Sequence, residues 1–97
     1  MELKEIHNVY FLGIGGIGMS ALARWFNANG FAVGGYDKTS TPLTACLENE
    51  GIAIHFDDDI NVIPDHFKDK RTTLVVYTPA VPTHHREYDF FKENGFQ

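Results

Sequence analysis

Three glycines, Gly13, Gly15 and Gly18, have the Gly-x-Gly-x-x-Gly spacing that suits binding of a nucleotide diphosphate. They follow an apolar run that predicts a strand, Val9–Leu12, and precede a segment rich in helix formers, Met19–Phe26. In that context Gly13 permits a tight turn, Gly15 lets the main chain approach a pyrophosphate, and Gly18 lets the helix pack closely on the strand. We therefore expect backbone N–H groups at the helix N-terminus to hold the phosphates.

An acidic residue stands where a ribose contact is expected. Asp37 closes a second predicted strand, Phe31–Tyr36, about 20 residues beyond Gly18. Its carboxylate can accept hydrogen bonds from ribose hydroxyls, and the coincidence of strand, helix, second strand and acid favours a nucleotide site over glycines that serve packing alone. The pattern by itself fits NAD. No Gly-x-x-x-x-Gly-Lys-Ser/Thr motif occurs, so no ATP-hydrolysing P-loop is expected in this chain.

The elements that position these residues alternate between strand and helix along the chain. Such alternation predicts an α/β, Rossmann-like open parallel sheet in the order 3-2-1-4, with helices on both faces. The remaining predicted elements are a helix over Leu43–Asn49 capped by Ser40 or Thr41 with Pro42 at its first position, a strand Ile52–Phe56, a short helix around Asp65–Asp69 within an otherwise polar loop, a strand Thr73–Thr78, and a helix His85–Asn94.

A glycine stands directly before an apolar residue at the end of each main helix, at Gly30, Gly51 and Gly95. The first two positions launch predicted strands, so Phe96–Gln97 should begin a fifth strand that is truncated here. We therefore interpret residues 1–97 as a single domain and as an N-terminal piece of a longer protein.

Composition narrows the possible partners. The chain has 97 residues, with 13 acidic against 8 Lys and Arg residues and a formal charge of −5. A general nucleic-acid binder needs a basic face, so nucleic acid is not expected as a partner. No apolar run is long enough to span a membrane, and the only cysteine, Cys46, cannot form an internal disulfide. These features favour a cytoplasmic protein without a membrane partner.

The full amino-acid sequence of the glycine loop is more specific than the spacing of its glycines. The stretch from Gly13 to Ala23, with its doubled glycine followed by Ile-Gly-Met-Ser, resembles the amino-terminal signature of the Mur ligases. Three further stretches resemble the family in order and spacing: Gly35–Ser40, Leu47–Ile52 and Val75–Val81. Elsewhere the chain departs from the family, for example at His84–Glu87, where Asn-Pro-Glu is common. The resemblance extends over essentially the whole chain.

The resemblance implies the first of three domains in a cytoplasmic enzyme of peptidoglycan synthesis. This domain would bind the UDP portion of UDP-N-acetylmuramate, while ATP, Mg²⁺ and L-alanine would bind at the other domains, so no cofactor and no catalytic residue is expected in this chain. The full-length enzyme would activate the muramyl carboxylate with ATP for attack by L-alanine. The substrate-binding residues implied here are Gly13, Gly15, Gly16, Ile17, Gly18, Met19, Asp37, Lys38, Ser40, Thr78, Pro79, Ala80 and Val81.

Other residues could be given chemical roles, but structural ones are favoured. We interpret Asp57–Asp59 as a solvated loop or helix cap rather than a metal site. We interpret His84–His85 with Glu87 as a helix start rather than a zinc site. Cys46 is expected to pack rather than to act as a nucleophile. Two alternatives to the ligase remain open from the residues: an NAD-binding domain of an oxidoreductase and a nucleotide-sensing regulatory module.

Overall fold

A four-stranded parallel sheet forms the centre of the molecule. In the computed structural model, which describes residues 5–77 and 85–95, the strands are ordered β3-β2-β1-β4. Leu12, at the end of β1, pairs with Tyr36 on one side and Tyr77 on the other, so three strands end at one carboxyl edge. The predicted order is confirmed, and the predicted fifth strand lies outside the described residues. The strands are β1 Asn8–Leu12, β2 Ala32–Tyr36, β3 Ala53–His55 and β4 Thr73–Tyr77.

The helices begin and end close to the predicted residues. They are α1 Ile17–Ala28, α2 Pro42–Asn49 and α3 Arg86–Glu93. Of the two predicted caps for α2, the structure uses Thr41, whose side chain accepts a hydrogen bond from the Thr44 amide in a reciprocal capping box. Within the described ranges, no helix has the length and apolar character needed to cross a membrane.

Both faces of the sheet are covered. On one face, Val9 and Phe11 of β1 join a buried cluster with Ala23 of α1 and Leu47 of α2. On the other face, Tyr10 and Leu12 join a second cluster, whose further members are Ile63, Phe67, Val75 and Phe91. Because neighbouring residues of a strand point to opposite faces, the continuous apolar run of β1 supplies both clusters.

The connection between β3 and β4 is more apolar in its packing than its sequence predicts. It forms two short 3₁₀ turns, Ile60–Val62 and Asp65–Lys68, and contributes two buried side chains, Ile63 and Phe67. The Phe67 ring packs on Gly34 of β2, where an added Cβ would lie 2.9 Å from the ring. The absence of a side chain at Gly34 thus lets an aromatic ring cover the second face of the sheet.

Candidate functional site

The glycine loop is joined to the end of β2 by main-chain hydrogen bonds. Gly13 has φ of +90°, a conformation that favours glycine, and turns the chain out of β1. The amides of Gly13 and Ile14 both donate to the Tyr36 carbonyl, at 2.8 and 3.0 Å. These bonds hold the loop at the carboxyl edge of the sheet, where open α/β folds bind ligands.

The Asp37 carboxylate contacts this loop directly. Its Oδ2 accepts a hydrogen bond from the Gly15 amide at 2.7 Å, and its Oδ1 accepts one from the Thr39 amide at 3.0 Å. A Cβ added at Gly15 would lie 2.7 Å from the same Oδ2. Gly15 therefore makes room for an acidic side chain of the protein, and its N–H group already has a partner.

The N-terminus of α1 presents the next amides of the loop. Gly16 donates to the Gly13 carbonyl at 3.2 Å, and the amide of Ser20 begins the helical ladder by donating to Gly16 at 2.8 Å. The amides of Ile17, Gly18 and Met19 precede that ladder, and no side chain caps the helix at Gly16. Amides at this position of a helix are suited to binding an anion.

The structure brings some of the predicted residues together and corrects the role of others. Lys38 and Ser40 are exposed on the segment that follows Asp37. A Cβ at Gly18 would meet nothing within 4 Å, so the expectation that Gly18 allows close packing of helix on strand is wrong. Cys46 is exposed on α2, so its expected packing role is wrong as well. Thr78, Pro79, Ala80 and Val81, together with His84, lie outside the described residues.

A buried polar cluster, missed by the sequence prediction, lies on the second face of the sheet. It consists of Tyr10, His55 and Glu87, and the Glu87 side chain is fully buried. The Tyr10 hydroxyl donates to Glu87 Oε1 at 2.6 Å, and His55 Nε2 lies 2.7 Å from Glu87 Oε2. Burial, followed by the charge of Glu87, raises the pKa of Tyr10 far above its usual range. A signal existed in the sequence, because Glu87 shares one helical face with the buried Phe91.

The aspartates after β3 hold the start of α3. Asp58 accepts hydrogen bonds from the amides of Arg86 and Glu87, at 2.8 and 2.9 Å, while His85 is the N-cap residue. The helix-cap interpretation of the aspartates and the helix-start interpretation of His85 are therefore confirmed. The described residues hold no group of three or more His, Cys, Asp or Glu side chains arranged for a metal ion.

Negative charge is concentrated near the end of β2. The pKa of Tyr36 is raised, first by burial and then by nearby carboxylates, of which Asp58, Glu87 and Asp37 have the largest effects. A phosphate ligand at this edge would depend on backbone N–H groups to offset the repulsion.

The chain matches known proteins over almost all of its length. Residues 8–97 match the model of the Mur ligase family, catalytic domain. The chain belongs to the Mur ligase family. It is 57% identical over 96 residues to the UDP-N-acetylmuramate–L-alanine ligase of Cytophaga hutchinsonii, covering 99% of this chain and 21% of that protein. It is 54% identical over 97 residues to the ligase of the same name from Phocaeicola vulgatus, again covering 21% of the relative.

Solved structures of Mur ligases share the fold. The UDP-N-acetylmuramate–alanine ligase of Thermotoga maritima superposes with a TM-score of 0.75 at 35% identity, over 90% of this chain and 19% of that one. The UDP-N-acetylmuramate:L-alanyl-γ-D-glutamyl-meso-diaminopimelate ligase of Neisseria meningitides superposes with a TM-score of 0.78 at 25% identity, over 94% of this chain and 27% of that one. This Mur ligase chain spans about a fifth of the length of the curated relatives that it matches. The NAD-binding alternative is not favoured.

Proposed function

We propose that this chain is the UDP-binding domain of an ATP-dependent UDP-N-acetylmuramate–L-alanine ligase of peptidoglycan synthesis. The observation that carries the proposal is the set of helix N-terminal amides beside Asp37, in a chain 57% identical to a ligase of that name. Such amides supply positive partial charge without a basic side chain, which is how an acidic domain can bind a diphosphate.

Each part of the loop has a defined place in this proposal. The amides of Ile17, Gly18 and Met19 bind the diphosphate, since the Gly15 and Gly16 amides already donate within the protein. Gly13 and Gly15 shape the loop around them. Asp37, Lys38 and Ser40 flank the uridine, and Asp37 offers carboxylate oxygens to the ribose hydroxyls. The segment Thr78, Pro79, Ala80 and Val81 lines the crevice at the end of β4.

The reaction itself is assigned to other parts of a three-domain cytoplasmic ligase. ATP, Mg²⁺ and L-alanine bind outside this chain, where the muramyl carboxylate becomes an acyl phosphate that the alanine amine attacks. The chain has no Gly-x-x-x-x-Gly-Lys-Ser/Thr motif, so we expect the ATP-hydrolysing P-loop outside it. The role of this chain is to bind and orient the nucleotide, and we expect it to have no ligase activity alone.

A ligand titration followed by NMR tests the proposal. UDP-N-acetylmuramate should shift the amide signals of Ile17–Met19 and Asp37, while NAD at the same concentration should leave them unchanged. The amide signal of Glu93, the exposed last residue of α3, serves as an internal control. Shifts at the loop with NAD alone would contradict the ligase assignment and restore the oxidoreductase alternative.

A further inference from the structure

The Glu87 carboxylate gathers hydrogen-bond donors from three separate parts of the chain. Tyr10 of β1 donates its hydroxyl at 2.6 Å, His55 of β3 lies 2.7 Å away through Nε2, and the Asp59 amide donates at 3.3 Å. Glu87 itself stands in the first turn of α3 and is 0% exposed. A buried carboxylate is tolerated when its lone pairs are satisfied in this way.

The contacts of Glu87 also determine which nitrogen of His55 carries a proton. The Tyr10 hydroxyl has one proton, which it donates to Glu87 at 2.6 Å. His55 Nε2 lies 2.9 Å from the Tyr10 oxygen and 2.7 Å from Glu87 Oε2. Facing one carboxylate oxygen and one hydroxyl oxygen that has already given its proton, Nε2 must be the donor.

This cluster is connected to the candidate nucleotide site. The His55 carbonyl accepts a hydrogen bond from the Asp37 amide at 3.2 Å. The ring of His85, at the cap of α3, packs edge-on against Tyr36 with centroids 4.7 Å apart. Tyr36 is the residue before Asp37, so both the end of β3 and the start of α3 contact the segment that carries the proposed uridine-binding acid.

We propose that Glu87 is a positioning residue for the nucleotide site. Its carboxylate fixes the imidazole of His55 and the first turn of α3 at the carboxyl edge of the sheet, and these in turn hold Tyr36 and Asp37 in the geometry that receives the nucleotide. The proposal rests on the proposed function and assigns Glu87 no contact with the ligand.

Replacing Glu87 with glutamine tests the proposal with little change in shape. The amide group of Glu87→Gln places an N–H donor toward either Tyr10, whose hydroxyl then loses that acceptor, or His55, which must then carry its proton on Nδ1 so that Nε2 can accept. We expect affinity for UDP to fall by about tenfold, the lower end of the loss seen at metal sites when an outer hydrogen-bond partner of a ligand is removed. The ¹⁵N signals of the His55 ring should shift, because the partner of Nε2 has changed. The Asp37 amide signal should shift in the absence of ligand.

The matched control is Glu93→Gln, which makes the same change in charge at an exposed position near the other end of α3. It should keep wild-type affinity and the wild-type His55 tautomer. A folded Glu87→Gln variant with affinity within about twofold of wild type would overturn the proposal, since that change is below the loss of one hydrogen bond.

Two further outcomes remain informative. Were Glu87→Gln to unfold, Tyr10→Phe removes only one donor to Glu87 and should weaken UDP binding by a smaller factor; unchanged affinity in that variant contradicts the positioning role. If the wild-type chain does not bind UDP, the proposed function is wrong. The ¹⁵N signals of His55 and the amide signal of Asp37 in ligand-free Glu87→Gln then still test the positioning role of Glu87. If both signals keep their wild-type values in that variant, the positioning proposal is wrong.

Discussion

Two carboxylates near the carboxyl edge of the sheet are used in opposite ways. Asp37 is half-buried and accepts two backbone amides, from Gly15 and Thr39, that lie close to it in the loop and on its own segment. Glu87 is fully buried and accepts donors from β1, β3 and the turn after β3. The half-buried carboxylate can exchange its partners for water or a ligand, and the fully buried one cannot.

The two carboxylates have different roles: Asp37 belongs to the proposed binding loop, and Glu87 belongs to the packed structure that supports it. Around Asp37 the hydrogen-bond donors are backbone amides, and the three residues that follow it, Lys38 to Ser40, are exposed. Around Glu87 the side chains are large, aromatic and buried, with the Tyr10 ring 5.2 Å from both the Phe67 and the Phe91 rings. The loop around Asp37 is thus supported by the packed cluster around Glu87, as expected for a ligand-binding loop on a folded core.

The largest expected effect is loss of stability on removing the buried carboxylate. Glu87→Ala removes the acceptor shared by the Tyr10 hydroxyl and the His55 ring and leaves these two only each other, so it should lower the free energy of unfolding by about 2–4 kcal/mol, since a hydrogen bond to a charged group contributes about 1.5–3 kcal/mol. Asp37→Ala exposes its two amides to water and should cost only about 1 kcal/mol. Urea denaturation of both variants measures the gap, and equal losses would remove the distinction between the two carboxylates.

A smaller effect is expected from a methyl group at two glycines of the loop. Gly15→Ala places a Cβ 2.7 Å from Asp37 Oδ2, which should break the contact and cost about 1–3 kcal/mol of stability, the range for overpacking. Gly18→Ala meets open space near the start of α1 and should instead stabilise the chain by about 0.5 kcal/mol. Thermal unfolding of the two variants gives the sign of each change; destabilisation by Gly18→Ala would mean that the helix packs more closely there than described.

The buried cluster should also give a distinct response to alkaline pH. Burial and Glu87 raise the pKa of Tyr10, so folded Tyr10 keeps its proton above about pH 10, where an unfolded tyrosine loses it. The stability from Tyr10 is complete below that pH and falls above it by about 1.4 kcal/mol per pH unit. Tyr10→Phe should therefore flatten the fall measured by urea denaturation across this range. Parallel curves for the two proteins would show that Tyr10 does not titrate differently on folding.

Features that depend on neighbouring residues could be read from the sequence. Pro42 after Thr41 predicts the start of α2, and the glycine pattern predicts the turn at Gly13, because in each case the cause lies within a few residues. The continuous apolar run of β1 similarly predicts a strand buried on both faces, which sets its central place in the sheet. The order of the strands follows from such local signals together with the rules for parallel sheets.

Features that depend on tertiary contact could not be read in this way. Nothing near Gly15 in sequence indicates that Asp37, rather than a phosphate, fills the space beside it. Glu87 shares a helical face with Phe91, but the partners that make it a buried acceptor, Tyr10 and His55, are distant in sequence. The exposure of Cys46 likewise depends on which face of α2 meets the sheet, since Leu47 beside it is buried and Cys46 is not.

The hydrogen bond between Tyr10 and Glu87 joins residues 77 positions apart, which has a consequence during synthesis of the protein. At about 5–20 residues per second, the ribosome adds Glu87 roughly 4–15 seconds after Tyr10. Through that interval β1, β2 and the helices between the first three strands can assemble one face of the sheet. The face that carries Tyr10 and Leu12 stays without α3 until residues 86–93 have been made. A chaperone acting on this nascent chain would find its apolar surface there.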